Sequence, residues 1–357
     1  MKKNLVTLLK FSLFLGVGLT ILYFVYIRQE TAYQAQCIAD NIPKADCSLI
    51  QKIIDDFKGT NFFWIFMVLI AFIISNISRA IRWHMFLKPL GYRPRYINSF
   101  FSIIIGYFAN LGLPRVGEVV RAATLSKYEN IPVEKTIGTI VVDRSVDLLS
   151  LLTAFGLVLL FEYDTIWSYL SENVGQGENN ESLWEKTWFQ VFALIVIVAG
   201  AAMAIFKNKI QQLNIYKKFQ NILHGFLEGI KSIGKLDKPL LFIFHSINIW
   251  FMYFMMAYLC FFAFEPTAGL PPVAGLVVFV FGSFGILIPS PGGMGTFHFM
   301  AVEALSIYGV SAGDAFSFAN ILFFSVQIGC SVVVGIAALL LLPIINRNYN
   351  PTPITST

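Results

Sequence analysis

The feature that most constrains this chain is a series of long apolar stretches separated by short polar or basic segments. Six of them have about the 17 to 25 residues with which a helix crosses a bilayer. They lie at 11–27, 62–81, 137–161, 188–206, 240–264 and 316–342. Composition agrees, because 56% of the residues are hydrophobic, 13% are charged and the mean hydropathy is +0.68. These values exclude a soluble enzyme and predict an all-α, polytopic helical membrane protein.

Two further apolar stretches are shorter, and each runs into a break rich in proline and glycine. We expect them to form re-entrant helical hairpins, one at 97–127 turning near 110–114 and one at 272–308 turning near 289–295. The first enters from the cytoplasm and the second from outside. Non-helical backbone at membrane depth must be buried in protein or line a water-filled cavity, so a cavity is predicted. Opposed broken helices are typical of inverted-repeat transporters, which makes a repeat a hypothesis here.

Basic residues in short flanking loops predict the orientation, because they stay on the cytoplasmic side. Lys2, Lys3 and Lys10 precede the first apolar stretch and indicate a cytoplasmic amino terminus. The acidic segment 162–186 is then on the outer side. The sequence therefore predicts a multi-pass protein of the cytoplasmic (inner) membrane with both termini in the cytoplasm. No small-residue cleavage site follows the first stretch, which favours an anchor over a signal peptide.

The predicted organisation is an anchor helix with an outer loop at 1–61, a membrane domain at 62–345 and a short cytoplasmic tail at 346–357. Cys37 and Cys47 fall in the outer loop, where a disulfide can persist, although two unpaired thiols remain the alternative. The other two cysteines lie in apolar stretches without metal-like spacing, so no metal site is expected. Basic residues form no single stripe, which excludes a nucleic-acid footprint.

A charged cluster follows the first short apolar stretch. Arg115, Glu118 and Arg121 are spaced i, i+3 and i+6, so in a helix they lie near one face and favour an Arg-Glu-Arg relay. One guanidinium would then stay free to bind phosphate oxygens. Ionisable groups at membrane depth are rare and mark substrate or ion pathways. The alternative is a salt-bridge cluster that only fixes the hairpin.

A second charged cluster lies about two turns into the apolar stretch that begins near 137. Asp143 and Asp147 are stacked at i and i+4, with Arg144 beside them, and all three should face inward. The aspartates could neutralise Arg115 or Arg121 when lipid is absent, or bind an amine or a proton. A structural ion-pair network is the alternative interpretation.

The break in the second hairpin contains two prolines and three glycines, Gly292, Gly293 and Gly295, which cannot continue a helix. If a helix begins at Thr296, its free amide groups and positive dipole end would favour an anion such as a phosphodiester. A plain turn is the alternative. His298 could hydrogen-bond a phosphate or titrate near neutral pH, whereas a lone histidine is more often a packing residue.

Three further residues are secondary candidates. Arg79 and Arg82 end the second apolar stretch beside Trp83, which is the ordinary composition of a cytoplasmic interface, so anchoring is favoured and attraction of head groups is a second role. Asn110 stands at the predicted turn of the first hairpin. The segment 210–236 has lysines and apolar residues at helical spacing, as in a helix lying on the inner leaflet.

Four motifs together carry a family resemblance. They are Gly106-Tyr107-Phe108-Ala109-Asn110, Pro114-Arg115-x-Gly117-Glu118-x-x-Arg121, Asp143-Arg144-x-x-Asp147 and Pro289-x-Pro291-Gly292-Gly293-x-Gly295. In this order they resemble the lysylphosphatidylglycerol synthase transmembrane-region family, the flippase-like integral membrane domain. The resemblance implies a multi-helix bundle that binds phospholipid or another lipid-linked anion, with translocation as a further expectation. The family pattern often has a glutamate where this chain has His298, so the head-group chemistry stays open.

Three functions follow from these patterns. A lipid translocator is favoured, and the alternatives are a membrane transferase or its subunit acting on lipid head groups, and a lipid-binding scaffold without turnover. No nucleotide loop, zinc spacing or Ser-His-Asp order is present, so neither a cofactor nor a catalytic site is predicted. Transport would then be passive or coupled to a gradient, with Asp143, Asp147, Glu118 and His298 as candidate proton carriers. The expected partners are anionic phospholipid or polyprenyl phosphate, and a second copy in a homodimer.

Overall fold

The computed structural model describes residues 2–43, 47–112, 116–175, 236–288 and 290–351, and every regular element in these ranges is helical. The helices are α1 (Lys2–Ala39), α2 (Leu49–Gly59), α3 (Phe62–Leu87), α4 (Tyr96–Gly112), α5 (Gly117–Glu129), α6 (Val133–Gly175), α7 (Pro239–Ala263), α8 (Pro272–Leu287), α9 (Thr296–Ser306), α10 (Ala312–Phe323) and α11 (Ser331–Ile345). Shorter turns are Lys88–Leu90, Glu265–Ala268, Pro291–Gly293 and a π-helical turn, Phe324–Cys330. The prediction of an all-α protein is confirmed for these ranges.

Four helical segments of the described ranges are long and apolar enough to cross a membrane. They are Phe62–Leu90, Val133–Tyr169, Pro239–Ala263 and Ala312–Ile345. The last one joins α10, the π-helical turn and α11 without a break. The predicted stretch at 11–27 lies within α1. The crossing predicted at 188–206 and nearly all of the segment 210–236 lie outside the described residues, so the count of six crossings stays a prediction.

The chain divides into two compact units, one comprising Met1–Val158 and Leu236–Thr357 and the other Leu159–Lys235. The described part of the second unit is the continuation of α6, which is kinked at Glu162, where φ is −126° and ψ is 18°. Both helical hairpins belong to the first unit.

The first hairpin is formed by α4 and α5, which pack closely where two glycines face each other. A Cβ added to Gly106 would lie 2.8 Å from the carbonyl oxygen of Gly117, so only glycine allows this approach. The second hairpin is formed by α8 and α9, joined by the turn Pro291–Gly293. The two tips meet, because Leu111 Cδ2 lies 3.5 Å from the position that a Cβ on Gly292 would take. Helical hairpins are thus present where the sequence predicts them, and their depth in a membrane stays a prediction.

Side-chain contacts attach both ends of the chain to these hairpins. The structure joins Cys37 and Cys47 in a disulfide that ties the end of α1 to the start of α2. Arg28 on α1 pairs with Glu303 on α9 at 2.7 Å. Beyond α11, Tyr349 donates a hydrogen bond to Glu129 at the end of α5.

The order of a long helix, a hairpin and a long helix occurs twice, in α3 to α6 and in α7 to α11.

Candidate functional site

The centre of the site is a buried ion-pair network between α3 and α6. Arg79 Nη1 lies 3.1 Å from Asp143 Oδ2 and 2.7 Å from Asp147 Oδ2. Arg82 Nη2 lies 2.6 Å from one oxygen of each aspartate, and its Nε donates to Asp143 at 2.9 Å. Arg79 is 1% exposed, and Arg82 and Asp143 are 0% exposed. Charges so deeply buried are retained only when they are paired and hydrogen-bonded. These contacts pair all four charges and leave only the Nε of Arg79 without a hydrogen-bond partner among the described residues of this network.

The interpretation of Arg79 and Arg82 as anchors at a membrane interface is therefore corrected. Both side chains point into the protein and neutralise the two aspartates, which indeed face inward as predicted. An arginine that ends an apolar stretch beside a tryptophan is typical of an interface, but here the partners lie on α6, 61 to 68 residues further along the chain.

The charged residues of α5 do not pair with each other as the relay requires. Arg121 donates from Nη1 to Asp143 Oδ2 at 3.1 Å, and its guanidinium carbon lies 3.8 Å from the centre of the Trp83 ring, a cation–π contact. Glu118 instead pairs with Arg144, at 3.2 Å from Nη2. The helix packing places the buried Arg121 against the buried carboxylate of Asp143, and the partly exposed Glu118 against Arg144. Arg115 lies outside the described residues.

Next to this network is a cavity of about 550 Å³. Its charged lining residues are Arg79, Glu118, Arg144 and Asp147. Its uncharged polar lining residues are Tyr107, Asn110, Tyr253, Ser283, Ser290, Gln327 and Ser331. The rest of the wall is mainly apolar and includes Leu148, Leu151, Phe279, Ile286 and Val326. One cavity thus combines charge, hydroxyl groups and hydrocarbon surface.

The charges around the cavity do not cancel among the described residues. Four arginines (Arg79, Arg82, Arg121, Arg144) face three carboxylates (Glu118, Asp143, Asp147), which leaves one positive charge. The side chain of Arg144 is 39% exposed, whereas those of the other three arginines are almost fully buried. Arg144 is therefore the arginine best placed to meet a ligand.

The glycine bend of the second hairpin supplies only part of its predicted residues to the cavity. Gly292 and Gly293, with φ of 61° and 83°, line it. Thr296 begins α9 as expected, but its hydroxyl donates to the carbonyl of Gly285 at 2.7 Å. Gly295 packs against the backbone of α1. The amino end of α9 is thus closed by α8 and α1 at these residues.

His298 is also packed behind the bend. It is 1% exposed, its Nδ1 accepts a hydrogen bond from the Gly295 amide at 3.4 Å, and its ring centre lies 4.7 Å from that of Phe323. This geometry matches the packing alternative. In the first hairpin, by contrast, Asn110 lines the cavity while its Oδ1 accepts from the Gly117 amide at 2.7 Å, which fixes the start of α5.

Several polar lining residues were not proposed as site residues from the sequence, among them Tyr107, Tyr253 and Gln327. Tyr107 stands in the first family motif, whereas Tyr253 lies in an apolar stretch, where a tyrosine gives no signal beyond its hydrophobicity. Their hydroxyl oxygens are 2.9 Å apart. Gln327 lies in the π-helical turn, a feature that is frequent at functional sites and has no simple sequence pattern.

The fold and the site together define a polytopic helical membrane protein with two helical hairpins meeting at an amphipathic cavity. Comparison with known families gives the same class. Residues 15–335 match the family described as the lysylphosphatidylglycerol synthase TM region. The chain belongs to this family, as the four motifs indicate.

Three known proteins are similar to parts of this chain. A UPF0104 membrane protein of Methanocaldococcus jannaschii is 34% identical over 101 residues, which is 28% of this chain and 30% of the relative. A second UPF0104 membrane protein of that organism is 27% identical over 212 residues, 59% of this chain and 84% of the relative. The glycosyltransferase AglD of Haloferax volcanii is 33% identical over 92 residues, 26% of this chain and 15% of AglD. No solved structure matches the chain.

Proposed function

We propose that this protein binds an anionic phospholipid or a lipid-linked phosphate and translocates it across the cytoplasmic membrane. The observation that carries the proposal is the cavity of about 550 Å³, where arginines and an apolar wall line one space. A guanidinium presents a fork of donors that suits phosphate oxygens. Hydrocarbon chains need an apolar surface, and an unbalanced positive charge favours an anion. A lipid is the ligand that meets all three conditions.

In this proposal the two hairpins are re-entrant and reach membrane depth from opposite sides. Their contact at Leu111 and Gly292 supports the idea, because the tips then meet inside the bundle. The chain crosses the membrane six times and keeps both termini in the cytoplasm. Cysteine accessibility at 106–112 and 284–288, probed from each side, checks this topology, and two ordinary crossings would overturn it.

The direct test is scrambling of a fluorescent phosphatidylglycerol in proteoliposomes, with native mass spectrometry of the lipids that the purified protein retains. Arg144→Gln removes the excess positive charge, and we expect roughly tenfold less retained phosphatidylglycerol and slower scrambling. Arg347→Gln makes the same charge change at an exposed residue outside the cavity lining and should match wild type. Equal scrambling with and without protein would reject translocation. Equal retention by Arg144→Gln and wild type would reject the binding site.

A membrane subunit of a head-group transferase is the second candidate, and the likeness to part of AglD favours it. One experiment distinguishes the two functions. A transferase subunit would support transfer to a lipid acceptor without scrambling, whereas a translocator scrambles lipid in the absence of any donor substrate.

A further inference from the structure

We propose that Tyr107 and Tyr253 form a hydroxyl pair that donates one hydrogen bond to an oxygen of the lipid head group. The inference deepens the proposed function and rests on it. Tyr107 is on α4 in the first hairpin, Tyr253 is on α7, and both line the cavity. The pair therefore links a hairpin to a long helix at the point where a head group would sit.

The two hydroxyl groups carry two protons between them. Arg79 Nη2 donates to the Tyr253 oxygen at 3.0 Å, so this oxygen already accepts one hydrogen bond. The two hydroxyl oxygens are 2.9 Å apart, and one hydrogen bond between them uses one of their two protons. Whichever tyrosine donates in that bond, the second proton remains, and among the described residues it makes no further hydrogen bond. The pair thus presents a donor to the cavity.

The surroundings of the pair make this donor strong and well oriented. A chain of hydrogen bonds that begins at a guanidinium is polarised away from the cation, which strengthens the terminal donor. The rings are held by aromatic neighbours, with Phe72 6.2 Å from Tyr107 and Trp250 6.0 Å from Tyr253, measured between ring centres. All four residues line the cavity. A terminal donor selects an acceptor, such as a phosphoryl or ester oxygen, over an ammonium group.

Titration of dioctanoyl phosphatidylglycerol into the purified full chain tests the pair. Tyr107→Phe leaves the bond between Arg79 and Tyr253 intact and frees the Tyr253 proton, so one donor remains and we expect affinity close to that of wild type. Tyr107→Phe combined with Tyr253→Phe removes both hydroxyl protons and should weaken binding about tenfold. Tyr258 is on α7 like Tyr253 but is not part of the cavity lining, so Tyr258→Phe should bind the lipid as wild type does. Melting temperatures separate lost binding from lost folding.

The outcomes are distinct. Wild-type affinity in both tyrosine variants, with weaker binding by Arg144→Gln, would overturn the hydroxyl pair and leave the proposed function standing. Wild-type affinity in all of them would overturn both. Inorganic phosphate at millimolar concentration should not displace the lipid. Displacement would assign the pair to a free anion and contradict a lipid ligand.

Discussion

Both hairpins contain a close backbone approach at glycine, but they differ in how they are attached to the helices around them. The first is attached to α6 by buried or partly buried ion pairs, whereas the second packs mainly through backbone and apolar rings and has one more exposed ion pair to α1. In α5, Arg121 is bound to Asp143 and Glu118 to Arg144. In α8 and α9, a Cβ on Gly285 would lie 2.7 Å from the Thr296 carbonyl oxygen. The difference teaches that added volume should disturb either hairpin, whereas loss of a charge should disturb mainly the attachment of the first.

This division bears on how a lipid would be recognised. All four charged lining residues of the cavity belong to the α3 to α6 half, and the α8 to α9 hairpin contributes glycine, serine and apolar residues. In the proposed function, head-group charge would therefore be recognised by the first half of the chain. The second half contributes most of the apolar surface of the cavity.

The largest expected effect is on the charged side of the comparison. Asp143→Asn takes a negative charge away from three arginines, Arg79, Arg82 and Arg121, that all lie within 3.1 Å of its carboxylate. Removing one partner of a buried ion pair costs about 3 to 5 kcal/mol. We expect a large loss of folded protein, measured by size-exclusion chromatography and thermal unfolding in detergent.

A matched control lies on the same helix. Asp164→Asn makes the same change at an exposed position and should leave the melting temperature within error of wild type. If Asp143→Asn were as stable as this control but altered in lipid binding, the aspartate would have a functional role rather than a structural one, and the first hairpin would not depend on charge.

A smaller effect is expected when volume is added to the second hairpin. Gly285→Ala forces a methyl group against the backbone of Thr296 and Phe297, with contacts of 2.7 to 2.9 Å. Overpacking of this kind costs about 1 to 3 kcal/mol. Thermal unfolding should show a clear decrease in stability, with no change in the salt dependence of lipid binding because no charge is altered.

Gly156→Ala in α6 is the control, because a Cβ there meets nothing within 4 Å. It should be neutral or slightly stabilising, by up to about 1 kcal/mol, since alanine favours a helix over glycine. Equal stabilities of the two alanine variants would show that α8 and α9 can separate without cost.

The sequence was sufficient to locate both hairpins. Their breaks were predicted near 110–114 and 289–295, and α4 ends at Gly112 while α9 begins at Thr296. Proline and glycine cannot continue a helix, so this information is local. The inward orientation of Asp143 and Asp147 was predictable for a similar reason, because an unpaired carboxylate cannot face lipid.

The pairing of the charges could not be predicted from the sequence. Local spacing favoured a partnership between Glu118 and Arg121, while the structure pairs both with residues of α6. Which arginine reaches which carboxylate depends on helix packing, which one sequence does not contain. The contact between Tyr107 and Tyr253 could not be predicted either, because their hydroxyls meet only where α4 and α7 line the same cavity.

The smallest expected effect on stability concerns the half-exposed pair of the first hairpin. Glu118→Gln removes the partner of Arg144, and a partly exposed ion pair contributes less than about 1 kcal/mol. The same change raises the net charge of the described cluster by one unit and frees the Nη2 group of Arg144, whose Nη1 stays 3.3 Å from Asp147 Oδ2. We therefore expect near-normal stability but roughly threefold tighter retention of phosphatidylglycerol, an effect that salt should weaken.

Glu265→Gln makes the same charge change at an exposed position ahead of the second hairpin and serves as the control. It should alter neither retention nor its salt dependence, because Glu265 is not part of the cavity lining. Tighter retention in both variants would mean that the overall charge of the protein attracts the lipid. Tighter retention in Glu118→Gln alone would assign the recognition of charge to the first hairpin, because Glu118 there competes with the head group for the guanidinium of Arg144.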